Sequence, residues 1–223
     1  MLYKLIVFIV LSLVSIGQAH AEGASVLLGK AIEYYQGRKY HESILAFEKL
    51  RLHYQLNPRF TAYLGFSYYK EREYEDAVAC LEESIPQLTA YSPFEQAIYL
   101  YACAESHFYL SQYRLALPYY QQALPLTTGL DAADINYHMA FCYYLDEELS
   151  TEIDTLDILG DSIETDSIKA DSVDIKVMVL RKHFGIANRL YLEASKLHPL
   201  SPLHTARLSQ TTNMLRALEP KKQ

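Results

Sequence analysis

Two helical pairs of side chains have the chemistry of zinc ligands. Cys103 precedes His107 by four residues, and His138 precedes Cys142 by the same interval. Residues four apart share one face of a helix, so the pairs could together supply the two thiolates and two imidazoles that zinc prefers. The same positions also fit helix faces that pack into a core, and this is the interpretation that we favour. We therefore predict no metal and no other cofactor.

A dense run of carboxylates between Asp146 and Lys176 is a second candidate for ligand chemistry. It contains eleven acidic residues and two lysines, and an Asp-Ser pair recurs every five residues at Asp161, Asp166 and Asp171. Clustered carboxylates can bind calcium, but this spacing does not match a calcium-binding loop. The favoured interpretation is a solvated loop that its own charge keeps extended. Pairing of its apolar residues with a strand of a partner is an open alternative.

No catalytic motif accompanies these residues. The sequence has no G-x-S-x-G elbow, no glycine-rich phosphate loop and no H-E-x-x-H motif. Such patterns hold a nucleophile, a phosphate group or a metal ion in position for reaction. The carboxylates are numerous but form no convincing acid–base pair. We therefore predict that the protein is not an enzyme.

The N-terminal residues predict export. The stretch from Leu5 to Ile16 follows Lys4 and is apolar apart from two serines, and small residues Ala19 and Ala21 follow it. This arrangement is typical of a signal peptide that is cleaved after Ala21. The apolar core is too short to span a hydrocarbon layer of ~30 Å comfortably. An uncleaved anchor is the alternative, and the expected location is the periplasm or the extracellular space.

Charge and cysteine content narrow the possible partners. The net charge of −7 argues against nucleic acid and anionic lipid as partners, because both would repel the chain. Three cysteines in an exported chain raise the question of disulfides. Cys103 and Cys142 lie on successive repeats and could form a bridge, whereas buried free thiols are the alternative that we favour. The sequence predicts no stable membrane insertion after cleavage and leaves the oligomeric state open.

The strongest pattern is an internal repeat. Sliding the segment that begins at Ala31 by 34 positions places small residues on small ones and aromatic residues on aromatic ones, with Tyr40 on Tyr74. Looser copies follow at larger offsets. Small residues let two antiparallel helices approach closely, and the aromatic rings fill the gaps between them. The residues expected to make this packing are Ala31, Tyr40, Phe47, Gly65, Tyr74, Ala77, Ala104, Tyr113, Ala116, Tyr120, Ala140, Phe184, Ala187, Tyr191, Ala194 and Pro199.

This pattern resembles the tetratricopeptide repeat family, in which L-G-x-x-Y, A-x-x-x-F and P recur over about 34 residues. The likeness is carried by Leu64-Gly65-x-x-Tyr68 with Ala77-x-x-x-Leu81, by Ala116-x-x-x-Tyr120 with Ala123, and by Ala187-x-x-x-Tyr191 with Ala194 and Pro199. The resemblance implies an all-α fold, a right-handed α-solenoid of about four helix pairs with a C-terminal capping helix. It also implies a protein that binds other proteins.

The repeat copies predict how the chain is divided. Residues 1–21 are the signal peptide, and 22–145 hold three helix pairs and the first helix of a fourth. An acidic insertion over 146–181 splits the fourth pair, whose second helix and the capping helix occupy 182–219. Helix starts are signalled by a capping side chain followed by proline at Asn57-Pro58, Ser92-Pro93 and Ser201-Pro202.

In such a solenoid, the first helices of the pairs line a concave groove. Three-to-four spacing along these helices selects one stripe of side chains, and tyrosine and phenylalanine in it would supply large contact area for a peptide. The groove candidates are Tyr35, Phe66, Tyr69, Lys70, Tyr101, Phe108, Tyr109, Tyr137, Phe141 and Tyr144, and the same stripe contains Leu28, Ile32, Ala62 and Glu105. For each ring, packing between helices is the alternative.

The predicted function is that of a non-catalytic scaffold that binds a protein or peptide partner in this aromatic groove. The alternative is a structural subunit of a cell-envelope complex, docked through its convex face, its capping helix or the acidic loop.

Overall fold

The computed structural model describes residues 23–146 and 172–219. These residues form helices and turns and no β-strand, so the predicted all-α fold class is confirmed. The predicted signal peptide and residues 147–171 of the predicted insertion lie outside the described residues. The described residues divide into two compact units, an N-terminal unit that ends at Leu88 and a C-terminal unit that begins at Thr89.

Each unit is built from consecutive helices. The N-terminal unit contains α1 (residues 23–36), α2 (Tyr40–Arg51), α3 (Pro58–Glu71) and α4 (Tyr74–Ser84), followed by a 3₁₀ turn at Ile85–Gln87. The C-terminal unit contains α5 (Pro93–Tyr109), α6 (Tyr113–Ala123), a 3₁₀ turn at Leu124–Leu126, α7 (Gly129–Leu145), α8 (Ser172–Leu197) and α9 (Pro202–Ala217). No helix in the described ranges is long and apolar enough to cross a membrane.

The predicted helix starts are present as side-chain caps. The backbone N–H groups of Arg59, Glu95 and His204 donate to the side chains of Asn57, Ser92 and Ser201, respectively, at 2.9, 3.2 and 3.2 Å. In each case proline occupies the first turn of the helix, where its missing N–H is not needed. These starts fix where α3, α5 and α9 begin.

The turns inside three helix pairs also repeat. Arg38, Arg72 and Ser111 have positive φ angles of 58°, 66° and 60° and each lies between the two helices of a pair. Their spacings are the offsets of 34 and 39 residues that relate the first three repeat copies in the sequence. A residue in the left-handed backbone conformation therefore lies at the same position in the turn of each of these pairs.

Small residues lie where the helices of a pair approach most closely. A Cβ atom on Gly65 of α3 would lie 2.8 Å from Leu81 Cγ and 3.0 Å from Cys80 Cβ of α4. Of the residues predicted to pack, these are buried: Ala31, Phe47, Gly65, Ala77, Ala104, Ala116, Tyr120, Ala140, Phe184, Ala187 and Tyr191. Tyr40, Tyr74, Tyr113 and Ala194 are half-buried, and Pro199 is exposed.

Helix α8 is longer than the sequence pattern predicts. It begins at Ser172, inside the range 146–181 that is predicted as an acidic insertion. Val179 and Leu180 are almost fully buried, and they continue the apolar stripe of Phe184 and Ala187 toward the helix start. The many charges of the segment mask this stripe in the sequence.

Candidate binding cleft in the C-terminal unit

An open cleft of about 360 Å³ lies between α5, α7 and α9. It is lined by Phe108, Tyr109, Tyr137, His138, Phe141, Leu203, Ala206, Arg207 and Gln210. Four of these residues, the rings of Phe108, Tyr109, Tyr137 and Phe141, are groove candidates from the sequence. The cleft therefore brings together rings from two first helices and places the capping helix opposite them.

The apolar part of the cleft is held in place by ring contacts. Phe141 lies 4.8 Å from Tyr137, centroid to centroid, and its other side meets Phe184 of α8 edge-on at 5.3 Å. At the rim, Tyr109 and Leu203 are 52% and 56% exposed. Such exposure at an apolar rim leaves contact area available to a partner.

One wall of the cleft carries polar groups. The Tyr137 hydroxyl donates to Gln210 Oε1 at 2.7 Å. Since that bond uses the amide oxygen, the Gln210 NH₂ group is left as a donor. The guanidinium carbon of Arg207 lies 5.0 Å from the centroid of the Tyr137 ring, a cation–π contact between α9 and α7.

A buried polar network lies beneath the cleft. The Tyr120 hydroxyl donates to Glu105 Oε1, and His138 Nδ1 is in contact with the same oxygen. The Tyr120 hydroxyl is also 3.0 Å from His138 Nδ1. Burial and the Glu105 carboxylate raise the pKa of Tyr120 well above its ordinary value, so Tyr120 remains a donor.

Asp134 connects three helices at the edge of this network. Its carboxylate is 2.7 Å from Arg207 Nη1 and 3.3 Å from His204 Nε2, both on α9, and it accepts the Tyr191 hydroxyl of α8. Burial lowers the pKa of Arg207, but Asp134 raises it by more, so the net pKa lies above its ordinary value and Arg207 stays a cation. The charges of Arg207 and Asp134 therefore compensate each other.

Two other groove candidates of this unit lie beside the cleft. Tyr101 is half-buried, with its ring 6.1 Å from that of Tyr120. Tyr144 is 48% exposed near the end of α7, and its ring is 6.1 Å from Phe141. Glu105, which shares the sequence stripe, is buried in the network and does not face a groove.

The groove candidates of the N-terminal unit form a separate cluster. Tyr35 stacks on Tyr63 at 4.1 Å, and Phe66 lies 6.0 Å from Tyr35 and 5.9 Å from Tyr69. Lys70 Nζ lies 5.0 Å from the Phe66 centroid and 4.8 Å from that of Tyr69. These rings are half-buried against one another, Leu28 and Ile32 are half-buried as well, and Ala62 is fully buried.

The two helical Cys–His pairs take part in packing. His107 Nδ1 lies 2.7 Å from Gln112 Oε1, and its ring stacks on Tyr119 at 5.6 Å. Cys142 is a buried free thiol, and burial together with Glu105 raises its pKa above the ordinary value. Among the residues that the structure describes, no group of three His, Cys, Asp or Glu side chains is arranged to hold a metal ion.

The residues of this site that the sequence pattern misses lie on α7 and α9. The spacing of His138 from Cys142 predicts packing in a core, with a zinc ligand as the alternative, and no sequence pattern indicates a role for Arg207 or Gln210. A signal for α9 exists in the spacing of Leu203, Arg207 and Gln210 at intervals of four and three, which places them on one helix face.

A family model agrees with the repeat pattern over part of the chain. Residues 59–128 match the family model of the tetratricopeptide repeat. MamA MSR-1 C2 is similar in structure, at 15% identity over 86% of this chain and 97% of that chain, with a TM-score of 0.46. A Bacteroides ovatus ATCC 8483 protein, proposed to be a protein binding protein, is similar at 16% identity over 88% and 99%, with a TM-score of 0.43. No match was found among curated proteins.

Proposed function

We propose that this chain is a non-catalytic protein-interaction module whose partner site is the cleft between α5, α7 and α9. The match of residues 59–128 to the tetratricopeptide repeat family model supports the proposal. One observation carries this proposal. Rings from α5 and α7 and the side chain of Leu203 surround a single open volume of about 360 Å³. Binding pockets in proteins have this character, an apolar concave surface with a few placed polar groups.

The lining of the cleft favours a peptide with an apolar or aromatic side chain as the occupant. Phe108, Phe141 and Leu203 offer apolar surface to such a side chain. The Gln210 amide is positioned to donate to a peptide carbonyl, which would fix the orientation of the main chain. Because the positive charge of Arg207 is already paired with Asp134, the lining of the cleft does not favour an anionic ligand.

The proposal is tested by comparing Tyr109→Ala with Leu115→Ala. Tyr109 lines the cleft and is 52% exposed, while Leu115 lies on α6 and is 53% exposed, so the pair differs in location and not in exposure. A partner is first obtained by crosslinking in cells, and its affinity for each variant is then measured by calorimetry. We expect Tyr109→Ala to weaken binding by about tenfold or more, and Leu115→Ala to leave it unchanged.

Other outcomes would assign partner binding to a different part of the chain. Full binding by Tyr109→Ala together with loss of binding by Tyr69→Ala would place the partner on the ring cluster of the N-terminal unit. Loss of binding only on removal of residues 147–171 would favour the alternative function, a structural subunit that docks through its acidic segment. Melting temperatures of all variants separate lost binding from lost folding.

We also propose that the chain is exported, on the basis of residues 1–21. Expression of the full chain in a bacterial host should yield a periplasmic product whose N-terminal residue is Glu22. Recovery of the uncleaved chain from the cytoplasm would contradict export.

A further inference from the structure

A second pocket lies in the N-terminal unit, between the first half of α1 and the C-terminal end of α2. Its volume is about 450 Å³. The residues that line it are Gly23, Ala24, Val26, Leu27, Lys30, Lys49, Leu50, His53 and Tyr54. None of the groove candidates from the sequence is among them. The pocket is therefore a different surface from the ring cluster of the same unit.

Part of the lining offers apolar surface to a ligand. Leu50 is buried and Leu27 is half-buried, whereas Val26 and Tyr54 are 57% and 41% exposed. The Tyr54 ring meets that of His53 edge-on, with the centroids 6.5 Å apart. Exposed apolar groups beside a concave surface leave contact area that one apolar side chain of a ligand could cover.

Two lysines give the pocket a positive charge. Lys30 comes from α1 and Lys49 from the last turn of α2, and neither forms an ion pair with another residue in the described ranges. The neighbouring Arg51, by contrast, lies 2.8 Å from Glu48. No aspartate or glutamate is among the described residues that line the pocket. In a chain with a net charge of −7, this pocket thus combines apolar surface with two cations that lack a carboxylate partner.

We propose that this pocket binds an acidic peptide segment of a partner protein, in which carboxylates flank an apolar side chain. The apolar side chain would cover Val26 and Tyr54, and the carboxylates would pair with the two lysines. A long polyanion is a poorer occupant, because the net charge of −7 repels nucleic acid and anionic membranes. A short segment meets mainly the local charge of the lysines, since salt screens charges farther away. Binding here does not require the cleft of the C-terminal unit.

Titration of a short probe into the full chain tests this assignment. The probe is N-acetyl-Asp-Leu-Asp-amide, and its control is N-acetyl-Asn-Leu-Asn-amide, which keeps the shape and lacks the charge. Binding is followed by NMR of the amide groups of α1 and of residues 49–54. We expect the acidic probe to bind at least about threefold more tightly than the control, and its affinity to fall as NaCl is raised to about 0.3 M. Equal binding of the two probes, or no binding of the acidic one, would overturn the proposal.

Substitution of single lysines identifies the residues that bind. Lys30→Gln and Lys49→Gln should each weaken binding of the acidic probe by about two- to fivefold and leave the control probe unaffected. Lys39→Gln removes the same charge from the same unit, but Lys39 does not line the pocket, so binding should be unchanged. Equal weakening by Lys39→Gln and Lys30→Gln would show that only the net charge matters and would overturn the pocket as the site.

Two other occupants give distinct results. A second copy of the chain is one, because each chain carries the acidic residues between Asp146 and Lys176. Dimers that dissociate in Lys49→Gln and not in Lys39→Gln, seen by sedimentation velocity, would assign the pocket to that copy. Cosedimentation with phosphatidylglycerol vesicles that Lys30→Gln abolishes would assign it to a membrane surface. Either result would overturn the proposal, whereas monomers that bind the acidic probe and not the vesicles would support it.

Discussion

The two units use the same repeat pattern to different ends. In the N-terminal unit, the candidate rings Tyr35, Phe66 and Tyr69 pack on one another and on Tyr63. In the C-terminal unit, Phe108 and Phe141 line an open cleft above the buried carboxylate of Glu105. Identical positions in a repeat thus yield either a closed ring cluster or a cleft over a polar network.

The repeat register identifies the residues responsible for this difference. At the offset of 39 residues between the second and third copies, Phe66 corresponds to Glu105 and Leu81 corresponds to Tyr120. An apolar pair in the N-terminal unit is therefore replaced by a hydrogen-bonded acid and phenol in the C-terminal unit. A buried carboxylate requires partners, and it obtains them from Tyr120 and His138. The contacts of Glu105 with Tyr120 and His138 form the polar network beneath the cleft.

Removal of the charge at Asp134 is expected to have the largest effect. Asp134→Asn leaves the guanidinium of Arg207, whose side chain is 11% exposed, without its counter-ion. We expect a loss of about 3 kcal/mol in the free energy of unfolding, measured in urea. Asp131→Asn, an exposed carboxylate in the first turn of the same helix, should cost about 0.5 kcal/mol or less. Equal losses would show that the network does not stabilise the C-terminal unit.

Acid should destabilise the C-terminal unit through His183. Burial, and to a lesser extent Lys182, lowers the pKa of His183 from 6.5 to about 4, and its ring Nδ1 lies 3.0 Å from Asn136 Oδ1. As the pH falls below 6.5, His183 binds a proton in the unfolded chain, whereas in the folded chain it stays neutral until about pH 4. The contribution of neutral His183 to the free energy of unfolding is therefore complete above pH 6.5 and is lost as the pH falls toward 4. The loss should reach about 3 kcal/mol at most.

His183→Gln is the matched variant for the acid experiment. Its free energy of unfolding should fall less steeply than that of the wild type between pH 6.5 and pH 4, the range set by the shifted pKa. Parallel pH profiles for the two proteins would contradict a buried, neutral His183.

Removal of single hydroxyl groups compares the units directly. The Tyr120 hydroxyl donates to Glu105, whose side chain is 3% exposed, while the Tyr68 hydroxyl donates to Glu48, whose side chain is 32% exposed. Tyr120→Phe leaves a buried acceptor short of a donor and should cost about 2 kcal/mol, against about 1 kcal/mol or less for Tyr68→Phe, where water can replace the donor. Both losses in the free energy of unfolding are measured in urea. A larger loss for Tyr68→Phe than for Tyr120→Phe would contradict the buried network as the stronger interaction.

Added volume between α3 and α4 should destabilise the N-terminal unit. Gly65→Ala would place a methyl group 2.8 Å from Leu81 Cγ, and we expect a loss of about 1 kcal/mol or more. Gly29→Ala in α1 has nothing within 4 Å and should be neutral or stabilise by up to about 1 kcal/mol, because alanine favours helix. Thermal unfolding of both variants measures this difference, and similar melting temperatures would contradict close packing of α3 on α4.

The sequence pattern predicts the fold better than the site, for reasons visible in particular residues. Helix caps such as Asn57 depend on local chemistry, which the sequence displays directly, whereas the positive φ of Arg72 is not indicated by its residue type. The place of Phe141 in the cleft is also predicted by helix spacing alone. Arg207, by contrast, enters the cleft only because α9 docks on α7, and that register is a tertiary property.

The role of His138 could not be read from its neighbours in the chain. Its spacing of one helical turn from Cys142 fits packing in a core and, as the alternative, a zinc ligand, and neither interpretation indicates a polar network. The structure shows that Glu105 and Tyr120 reach it from two other helices. Recognition of that network requires knowing that a repeat position normally filled by an apolar residue holds an acid.

Site-specific photocrosslinking tests the central claim, that the cleft of the C-terminal unit binds the partner. A benzophenone amino acid is placed at Tyr109 on the cleft rim or at Leu115 on α6, two positions with exposures of 52% and 53%. Mass spectrometry then identifies crosslinked peptides after irradiation in cells. We expect the residue at position 109 to crosslink to one peptide segment of one partner, and the residue at position 115 not to crosslink to it. Equal crosslinking of that segment at both positions, or its crosslinking only at position 115, would contradict the cleft as the binding site.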